Sequence, residues 1–366
     1  MRDYTEGLGP DQVRRLLDRD APRIYSVLMR DQPSAGAPTR GVRRVVRDAR
    51  LLFLSVSGKL TPARRLLFAV SLLCGVLGLT DVRFAVNSPD YGFRADASPF
   101  FFVVALLGLT FLLAAELVDR VLVRDELEVA RQLQRELLPR ASPLVPGWTF
   151  AHSWRTANEI GGDYYRFQPL PDGRLAIVVA DASGHGMAAG LLMAITDATL
   201  RIALDLDPEQ AAVAGLLHRA VRRSGDRRTF LTLFYGLLDP ASGRLPWVSA
   251  GHPSPLLRRA DGTLEEPVGG SLPLGLRDSV EPTRGEVTLA PGDRLVLFSD
   301  GLFEALDGRG SAFGWDRLRA EVAASSSAVD AHDRLRAALD RHVGQEPLSD
   351  DLTLVVVERL ALPAPV

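Results

Sequence analysis

The sequence predicts a C-terminal α+β domain of antiparallel sheets flanked by helices, preceded by an all-α membrane hairpin. From about residue 146, short apolar runs alternate with Asp-Gly and Ser-Gly turns, which is typical of β-hairpins. Longer segments with helical spacing interrupt these runs, which favours antiparallel sheets with flanking helices over a parallel Rossmann sheet. Two long apolar runs lie further upstream. The helical segments are 187–204, 208–223, 314–323 and 328–343.

The length, charge and cysteine content of the chain limit the partners and the chemistry that we expect. The chain has 366 residues and a net charge of −2, so it is long enough for two or three domains and no nucleic-acid partner is expected. The single cysteine, Cys74, excludes an intrachain disulfide and lies in an apolar run, where we expect a buried, unreactive thiol. The polar N-terminus lacks the apolar segment of a signal peptide.

Two apolar runs, Leu60 to Thr80 and residues 98–118, approach the length of about 20 residues that crosses a bilayer. The first run is the shorter, and a buried core helix is its alternative interpretation. A close pair joined by a short polar loop favours a helical hairpin. Basic residues are concentrated outside this hairpin, which predicts that both termini are cytoplasmic. They are Arg40, Arg43, Arg44, Arg47, Arg50, Lys59, Arg64 and Arg65 before it, and Arg120 and Arg124 after it, against Arg83 and Arg94 in the loop.

These features divide the chain into four segments. Residues 1–58 form an N-terminal segment, helical or partly disordered, in which "PDQVRRLLDRDAPRIYSVLMR" has helical spacing. The hairpin occupies residues 59–118, a helical linker 119–140 and the C-terminal domain 141–366. The linker ends at Pro139 and could either connect the domains or pair with its own copy. Its apolar residues at helical spacing are Leu122, Leu127, Val129, Leu133 and Leu137.

Carboxylates recur at the ends of the predicted strands. Asp181 ends "LAIVVA" and Asp300 ends "RLVLFS", while Asp163 follows "EIGG" and the pair Asp350 and Asp351 precedes "LTLVVVE". Strand ends on one edge of a sheet converge, and clustered carboxylates repel one another unless cations neutralise them. Hard oxygen ligands without a histidine–cysteine cluster suit Mg²⁺ or Mn²⁺. Two such ions can activate a water and hold a phosphoryl group.

The stretch "VVADASGHGMAAG", residues 178–190, has two interpretations. "GHGMAA" matches the G-x-G-x-x-A loop that binds dinucleotides, with Asp205 or Asp207 as the acid that contacts the ribose. That interpretation places Asp181 beside a pyrophosphate without a cation, and no alternating βαβ units follow. In the second interpretation, which we favour, Asp181 is a metal ligand and the small residues bring the Ala182 carbonyl close enough to bind as well.

A set of motifs resembles the bacterial SpoIIE/RsbU-type phosphatases of the PP2C (PPM) serine/threonine phosphatase superfamily. In order, and at about the family's spacing, these are "EIGGDYYRF", "VADASGHGMAAGLLMA", "FLTLFYGLLDPASGRL", "SAGHPSPLLRR", "LPLGL", "PGDRLVLFSDGLFEA", "FGWDRL" and "SDDLTLVVVE". The resemblance covers residues 125–358. It implies an α/β/β/α sandwich of two antiparallel sheets with helices outside, and a site for two Mn²⁺ or Mg²⁺ ions.

The resemblance also implies residue roles. The nucleophile would be a metal-bound water, with no phosphoenzyme, and Asp181 and Asp300 would be the central catalytic carboxylates. Asp351 is an ambiguous neighbour of Asp350. The implied ligands are Asp163 for one metal, Asp181 as the bridging carboxylate with the Ala182 carbonyl beside it, and Asp300 and Asp350 for the other metal.

Five other residues have weaker assignments. His185 has a counterpart proposed as general acid in eukaryotic relatives, but two extra residues separate it from Asp181, and a loop position is the alternative. His252 in "AGHPSP" is expected to be a turn residue that orients the sheet. Ser183 lacks a G-x-S-x-G elbow and is not expected to be a nucleophile. Arg155 and Arg166 are candidates for contacting the substrate phosphate.

For partners, the resemblance implies phosphoserine or phosphothreonine on a small regulatory protein, typically a STAS-domain anti-anti-sigma factor. The enzyme would lie in the bacterial inner membrane as a multi-pass protein, with the phosphatase domain in the cytoplasm and a homodimer formed through the linker helix. That helix would control assembly of the metal site, with Gly161 and Gly162 absorbing the backbone change. A catalytically inactive interaction module is the alternative, and the intact acidic set argues against it.

Overall fold

The computed structural model describes residues 42–80, 83–88, 91–225, 228–267 and 270–361. The chain divides into two compact units, Met1–Val123 and Arg124–Val366, and each is described by itself. The helical spacing predicted near the N-terminus, within residues 10–30, lies outside the described residues.

The described part of the first unit, from residue 42 onward, contains helices and a β-hairpin. Helix α2 has a proline in its first turn, where the fixed φ of proline suits a helix start. The segment between the two apolar helices, predicted as a polar loop, instead forms two antiparallel strands in which Arg83 pairs with Asp96 and Ser88 with Tyr91. The elements are α1 Val42–Lys59, α2 Pro62–Leu79, β1 Arg83–Ser88, β2 Tyr91–Asp96 and the first part of α3, Ser98–Leu137.

Helices α2 and α3 pack closely through small residues. A Cβ added at Gly108 would lie 2.1 Å from the Ser71 hydroxyl, and one added at Gly78 would lie 2.8 Å from the Phe102 ring. Small residues at such positions let two helices approach, as they do in membrane helix pairs. Arg64 adds an ion pair of 2.5 Å to Asp119. The two apolar runs of the sequence therefore form a paired hairpin of helices.

Length and composition would allow three of the described helices to cross a membrane: α2, α3 and Met187–Leu206. In α2 and in α3, 11% of the most apolar stretch of 18 residues is buried inside the protein, whereas in Met187–Leu206 the buried share is 44%. The last of these is a core helix of the second unit, because its apolar face packs against a sheet. Exposed apolar side chains cover α2 and α3, which is the surface that a lipid environment would bury.

The second unit contains two five-stranded sheets, and every strand pairing in them is antiparallel. Sheet one has the order β10-β7-β6-β5-β4 and sheet two the order β3-β12-β11-β8-β9. Strands β9 and β10 were not predicted, since their sequences "LE" and "TRGEVT" contain few apolar residues. The strands are β3 Trp148–Arg155, β4 Asp163–Pro169, β5 Leu175–Ala182, β6 Leu231–Leu238, β7 Arg244–Ala250, β8 Leu256–Arg258, β9 Leu264–Glu265, β10 Thr283–Thr288, β11 Arg294–Phe298 and β12 Leu352–Arg359.

Alternating side chains on sheet two place it between two cores. On β11, Leu295 and Leu297 belong to the core shared with sheet one, while Val296 and Phe298 belong to a second core. Because side chains alternate along a strand, these two sets face opposite sides of the sheet. Helices α6 and α7 cover the second core, and α4 and α5 cover the outer face of sheet one. The helices are α4 Met187–Leu206, α5 Gln210–Ser224, α6 Trp315–Ala323 and α7 Ala328–Val343. The predicted α/β/β/α sandwich is confirmed.

Helix α3 continues without a break through the predicted boundary at residue 118 and ends at Leu137. Its last turns belong to the second unit. There the Gln134 side-chain amide donates to the Gly161 carbonyl at 2.5 Å and accepts the Gly161 N–H at 3.1 Å. Leu138, directly after the helix, is buried in the larger hydrophobic core of the second unit. The end of the linker helix is therefore fixed to the loop that precedes β4.

We predict that Gly301→Ala destabilises the second unit by about 1–3 kcal/mol, the usual cost of overpacking. A Cβ at this position would lie 2.0 Å from the Asp351 backbone carbonyl, so strands β11 and β12 would have to separate. The matched control is Gly270→Ala, because no atom lies within 4 Å of a Cβ added there. Denaturant unfolding of the two variants measures the difference, and equal midpoints would contradict the packing described here.

Candidate metal centre

The register of β4 and β5 places Asp163 directly opposite Asp181. Like charges at directly opposed positions destabilise a sheet. The residue before Asp163 is a glycine, and a Cβ there would lie 2.5 Å from the Ala182 carbonyl oxygen and 3.1 Å from Asp181 Oδ1. At Gly161, a Cβ would lie 2.6 Å from Asp351 Oδ2. Neither glycine has a positive φ, so the pair permits close backbone packing, which is a different role from the conformational freedom expected from the sequence.

Sheet two supplies the remaining carboxylates. Asp300 begins a short 3₁₀ turn, Asp300–Leu302, after β11, while Asp350 and Asp351 directly precede β12, the strand that pairs with β11. Asp300 and Asp181 come from different sheets yet line one cleft of about 260 Å³. The other lining residues are Thr232, Gly251, His252, Pro253, Phe303 and Glu304. The fold thus brings together acidic residues that lie more than a hundred positions apart in the sequence.

Within the described residues, no cationic side chain lowers the pKa of Asp163, Asp181 or Asp300. Burial raises the pKa of Asp181 to about 8, with Asp300 and Asp350 adding to the shift. Burial, with Asp350 next, raises the pKa of Asp300 to about 6. Burial, followed by the charge of Asp181, also raises the pKa of Asp163. A carboxyl whose pKa is higher in the folded chain than in the unfolded chain destabilises the fold as pH rises above about 4. Clustered charges of this kind attract divalent cations.

The two adjacent aspartates before β12 differ in their surroundings. Asp351 is buried, and its carboxylate accepts the backbone N–H of Ala157 at 2.8 Å and that of Gly162 at 2.6 Å. Asp350 is exposed, and one of its oxygens accepts the Asp351 N–H at 2.8 Å. Its charge acts on both Asp181 and Asp300. Asp351 therefore shapes the loop before β4, and Asp350 faces the solvent side of the cluster.

The donor set consists of oxygens: four carboxylates and the Ala182 carbonyl. Within the residues that the structure describes, no three His, Cys, Asp or Glu side chains converge closely enough to form a ready-made metal shell. The fit to a cation therefore rests on the donor chemistry, since the buried Asp163 and the half-buried Asp181, which have no ion pair among the described residues, suit a hard divalent ion such as Mg²⁺ or Mn²⁺.

The other predicted residues lie in varied positions. His185 is exposed in the loop before α4. Ser183 accepts the Phe230 N–H through its hydroxyl at 2.9 Å, so this oxygen has a structural partner. Arg155 pairs with Asp340 at 2.6 Å and the mostly buried Arg166 with Asp197 at 2.8 Å. Neither arginine lines the cleft.

His252 lines the cleft, a position not recognised from the sequence. It is buried, and its Nδ1 lies 3.0 Å from the hydroxyl of Thr232, the residue opposite Asp181 on β6. Burial lowers the pKa of His252 to about 3, so the ring is neutral at physiological pH. The motif "AGHPSP" was the sequence signal that could have marked His252 as a site residue. Because the chain crosses from sheet one to sheet two at this motif, the contact between the ring and Thr232 becomes evident only in the fold.

Glu304 and Phe303 also line the cleft without having been predicted. The Phe303 ring lies against Trp315 with centroids 4.9 Å apart, which gives the cleft one apolar wall. Glu304 is exposed, and its charge contributes to the raised pKa of Asp300. Both follow Asp300 in "SDGLFEA", so their nearness in sequence to a predicted ligand was the available signal.

The antiparallel neighbours of β5 bear on the dinucleotide interpretation. Strand β5, which leads into "GHGMAA", pairs with β4 and β6, both antiparallel to it. A dinucleotide loop of the Rossmann type requires a parallel βαβ unit. The structure therefore removes that interpretation, together with the ribose-binding role considered for Asp205 or Asp207.

Comparison with known proteins agrees with this fold. The family described as Stage II sporulation protein E (SpoIIE) matches residues 171–360. Protein IcfG of Synechocystis sp. (strain ATCC 27184 / PCC 6803 / Kazusa) is 27% identical over 68% of this chain and 43% of its own length. Phosphoserine phosphatase RsbU of Bacillus subtilis (strain 168) is 28% identical over 65% of this chain and 71% of its own length. The chain thus spans less than half of IcfG.

Among solved structures, the SiaA-PP2C domain of Pseudomonas aeruginosa superimposes with a TM-score of 0.58 at 24% identity. The match covers 66% of this chain and 99% of that domain, so the second unit has the complete PP2C fold. The family match spans just over half of the chain. Two antiparallel sheets, their flanking helices and these matches lead to one conclusion: the chain belongs to the SpoIIE family, and its C-terminal unit has the PP2C fold.

Proposed function

We propose that the chain is a membrane-anchored, metal-dependent protein serine/threonine phosphatase. The observation that supports this most strongly is the meeting of unpaired carboxylates from two sheets, Asp181 and Asp300, in one cleft. Two Mn²⁺ or Mg²⁺ ions bound there would supply an activated water and stabilise charge on a phosphoryl group.

In this proposal the ions are held by Asp163, Asp181, Asp300, Asp350 and the Ala182 carbonyl. Asp181 would be the central ligand, because it lies opposite Asp163 on sheet one and shares the cleft with Asp300 of sheet two. The Ser183 hydroxyl accepts the Phe230 N–H, which gives it a structural role. With the ions bound, hydrolysis would proceed by attack of an activated water, without a phosphoenzyme.

The substrate in this proposal is phosphoserine or phosphothreonine on a regulatory protein of the STAS anti-anti-sigma type. The relative RsbU is named a phosphoserine phosphatase, which supports this class. The cleft is open and, among the described residues, its lining contains no arginine or lysine. Arg155 and Arg166 pair with other carboxylates, so substrate selection falls to the surface around the cleft.

We predict that Asp181→Asn lowers Mn²⁺-dependent hydrolysis of p-nitrophenyl phosphate by at least about a hundredfold in the purified full chain, because the shared ligand loses its charge. The matched control is Asp205→Asn, an exposed aspartate at the end of α4, which keeps wild-type activity. Near-normal activity of Asp181→Asn would overturn the metal assignment, and an inactive wild-type chain would support the interaction-module alternative.

The proposed location is the bacterial inner membrane, with α2 and the first part of α3 as the two spans and the phosphatase domain in the cytoplasm. The close packing of α2 on α3 through Gly78 and Gly108 supports a hairpin that stays together in lipid. The excess of arginine outside the hairpin supports the orientation.

Reporter fusions at residue 90 and at the C-terminus test this topology. We predict that they report opposite sides of the membrane, with the C-terminus in the cytoplasm, because the intervening α3 is long enough to span once. A cytoplasmic signal from both fusions would show that the two apolar helices are core helices and would remove the membrane anchor.

The proposed regulation acts through helix α3, which in a homodimer would pair with its own copy. Val129 and Leu133 are each 60% exposed on this helix and are four residues apart, so they share one face. Gln134, next to Leu133, bonds both backbone groups of Gly161, two residues before Asp163. These contacts support a mechanism in which rotation or sliding of α3 moves the proposed metal ligand Asp163. A displacement of that carboxylate by about one ångström is enough to lower the rate of hydrolysis about a hundredfold.

Insertion of one to four residues after Asp125 tests this route. We predict that activity at fixed Mn²⁺ varies with helical phase and recovers after about a full turn, because each inserted residue rotates the upstream helix by about 100°. The control series has the same insertions combined with Gln134→Ala, in which the response is flat because the contact with Gly161 is already lost. A flat response with Gln134 intact would show that α3 is only a tether.

A further inference from the structure

We propose that Ser299 is a positioning residue that holds the Asp163 carboxylate in the orientation needed to bind a cation. This inference rests on the proposed function, because it takes Asp163 as a metal ligand. Ser299 lies outside the predicted set of site residues, and the structure places it across the interface between the two sheets, in contact with Asp163.

The contacts of Ser299 are short and fully enclosed. Its side chain has no exposed surface, and its hydroxyl donates to Asp163 Oδ2 at 2.7 Å. The same oxygen accepts the backbone N–H of Thr353 at 2.9 Å. The Asp351 carbonyl is a more distant acceptor at 3.3 Å. Since a hydroxyl has one proton to donate, the geometry directs that proton to Asp163.

This hydrogen bond fixes the orientation of the Asp163 carboxylate. Ser299 holds Oδ2 at 2.7 Å and leaves Oδ1 as the oxygen that Ser299 does not engage. Asp163 also lies opposite Asp181 in the register of β4 and β5, so the hydrogen bond from Ser299 fixes the Asp163 carboxylate next to its acidic neighbour. Hydrogen-bonded partners that orient ligating carboxylates in this way are usually worth about 10–100-fold in metal affinity.

The position of Ser299 in the chain also links it to a second proposed metal ligand. It directly precedes Asp300, so the dipeptide Ser299–Asp300 orients a ligand from sheet one and supplies a ligand from sheet two. Its backbone N–H is bonded to the Thr353 carbonyl at 3.1 Å, which fixes the dipeptide to strand β12. The spacing of Asp163 and Asp300 therefore depends on this one strand end.

The test is Ser299→Ala in the full chain, with Mn²⁺ affinity measured by calorimetry and by the Mn²⁺-induced rise in melting temperature. We expect the affinity to fall about 10–100-fold. Ser299→Cys, which keeps the size of the side chain but donates weakly, is expected to show the same loss and provides a second variant if the alanine variant does not fold. The matched control is Ser325→Ala: Ser325 is 2% exposed and bonded to the Val322 carbonyl, but it lies away from the cleft, so Mn²⁺ affinity is unchanged.

A double-mutant cycle separates positioning from general stability. If Ser299 acts through Asp163, then Ser299→Ala produces no further loss of Mn²⁺ affinity in an Asp163→Asn background. Additive losses of Mn²⁺ affinity in the double variant would overturn the proposal. Wild-type Mn²⁺ affinity in Ser299→Ala, with impaired affinity in Asp163→Asn, would also overturn it. Neither result would contradict the proposed metal site. Wild-type affinity in both Asp163→Asn and Asp181→Asn would instead overturn the proposed metal site together with this inference.

Discussion

Mutual repulsion between carboxylates gathered at one cleft, one of them buried and two half-buried, is the constraint on which the arrangement of the C-terminal unit depends. The register of β4 and β5 places Asp163 opposite Asp181, and the burial of Asp181, together with the charges of Asp300 and Asp350, raises its pKa to about 8. A domain organised for stability alone would not place these groups together, because each added charge costs free energy in the metal-free fold at neutral pH. Local rules are broken in this way mainly at functional sites.

Hydrogen bonds from two other elements hold the loop that precedes Asp163. The Asp351 carboxylate accepts the Ala157 and Gly162 backbone N–H groups, and the Gln134 side chain bonds both backbone groups of Gly161. The loop before β4 is therefore held between the linker helix and strand β12. In the proposed function, this arrangement makes the charge cluster sensitive to the linker, because Asp163 directly follows that loop.

Several elements could be predicted from the sequence because their signals are local. Helices α4 and α7 have long apolar periodicity, and Asp181 and Asp300 stand at the ends of apolar strands. Strand β10 has little apolar content and was not predicted, and the hairpin of β1 and β2 was expected to be a polar loop. The partners of Ser299 and His252 could not be derived, because each contact depends on the relative position of two strands; Ser299 and Asp163 lie 136 residues apart. The close-packing role of Gly162 became visible only with the Ala182 carbonyl beside it.

Anomalous scattering from Mn²⁺ in crystals of the full chain tests the central claim most directly. The account predicts two peaks in the cleft, both within ligand distance of Asp181, with one next to Asp163 and the other next to Asp300. Peaks of this kind would show that the opposed carboxylates exist to bind cations. The absence of any peak at Asp181 at saturating Mn²⁺, or a single ion held elsewhere on the surface, would contradict the account.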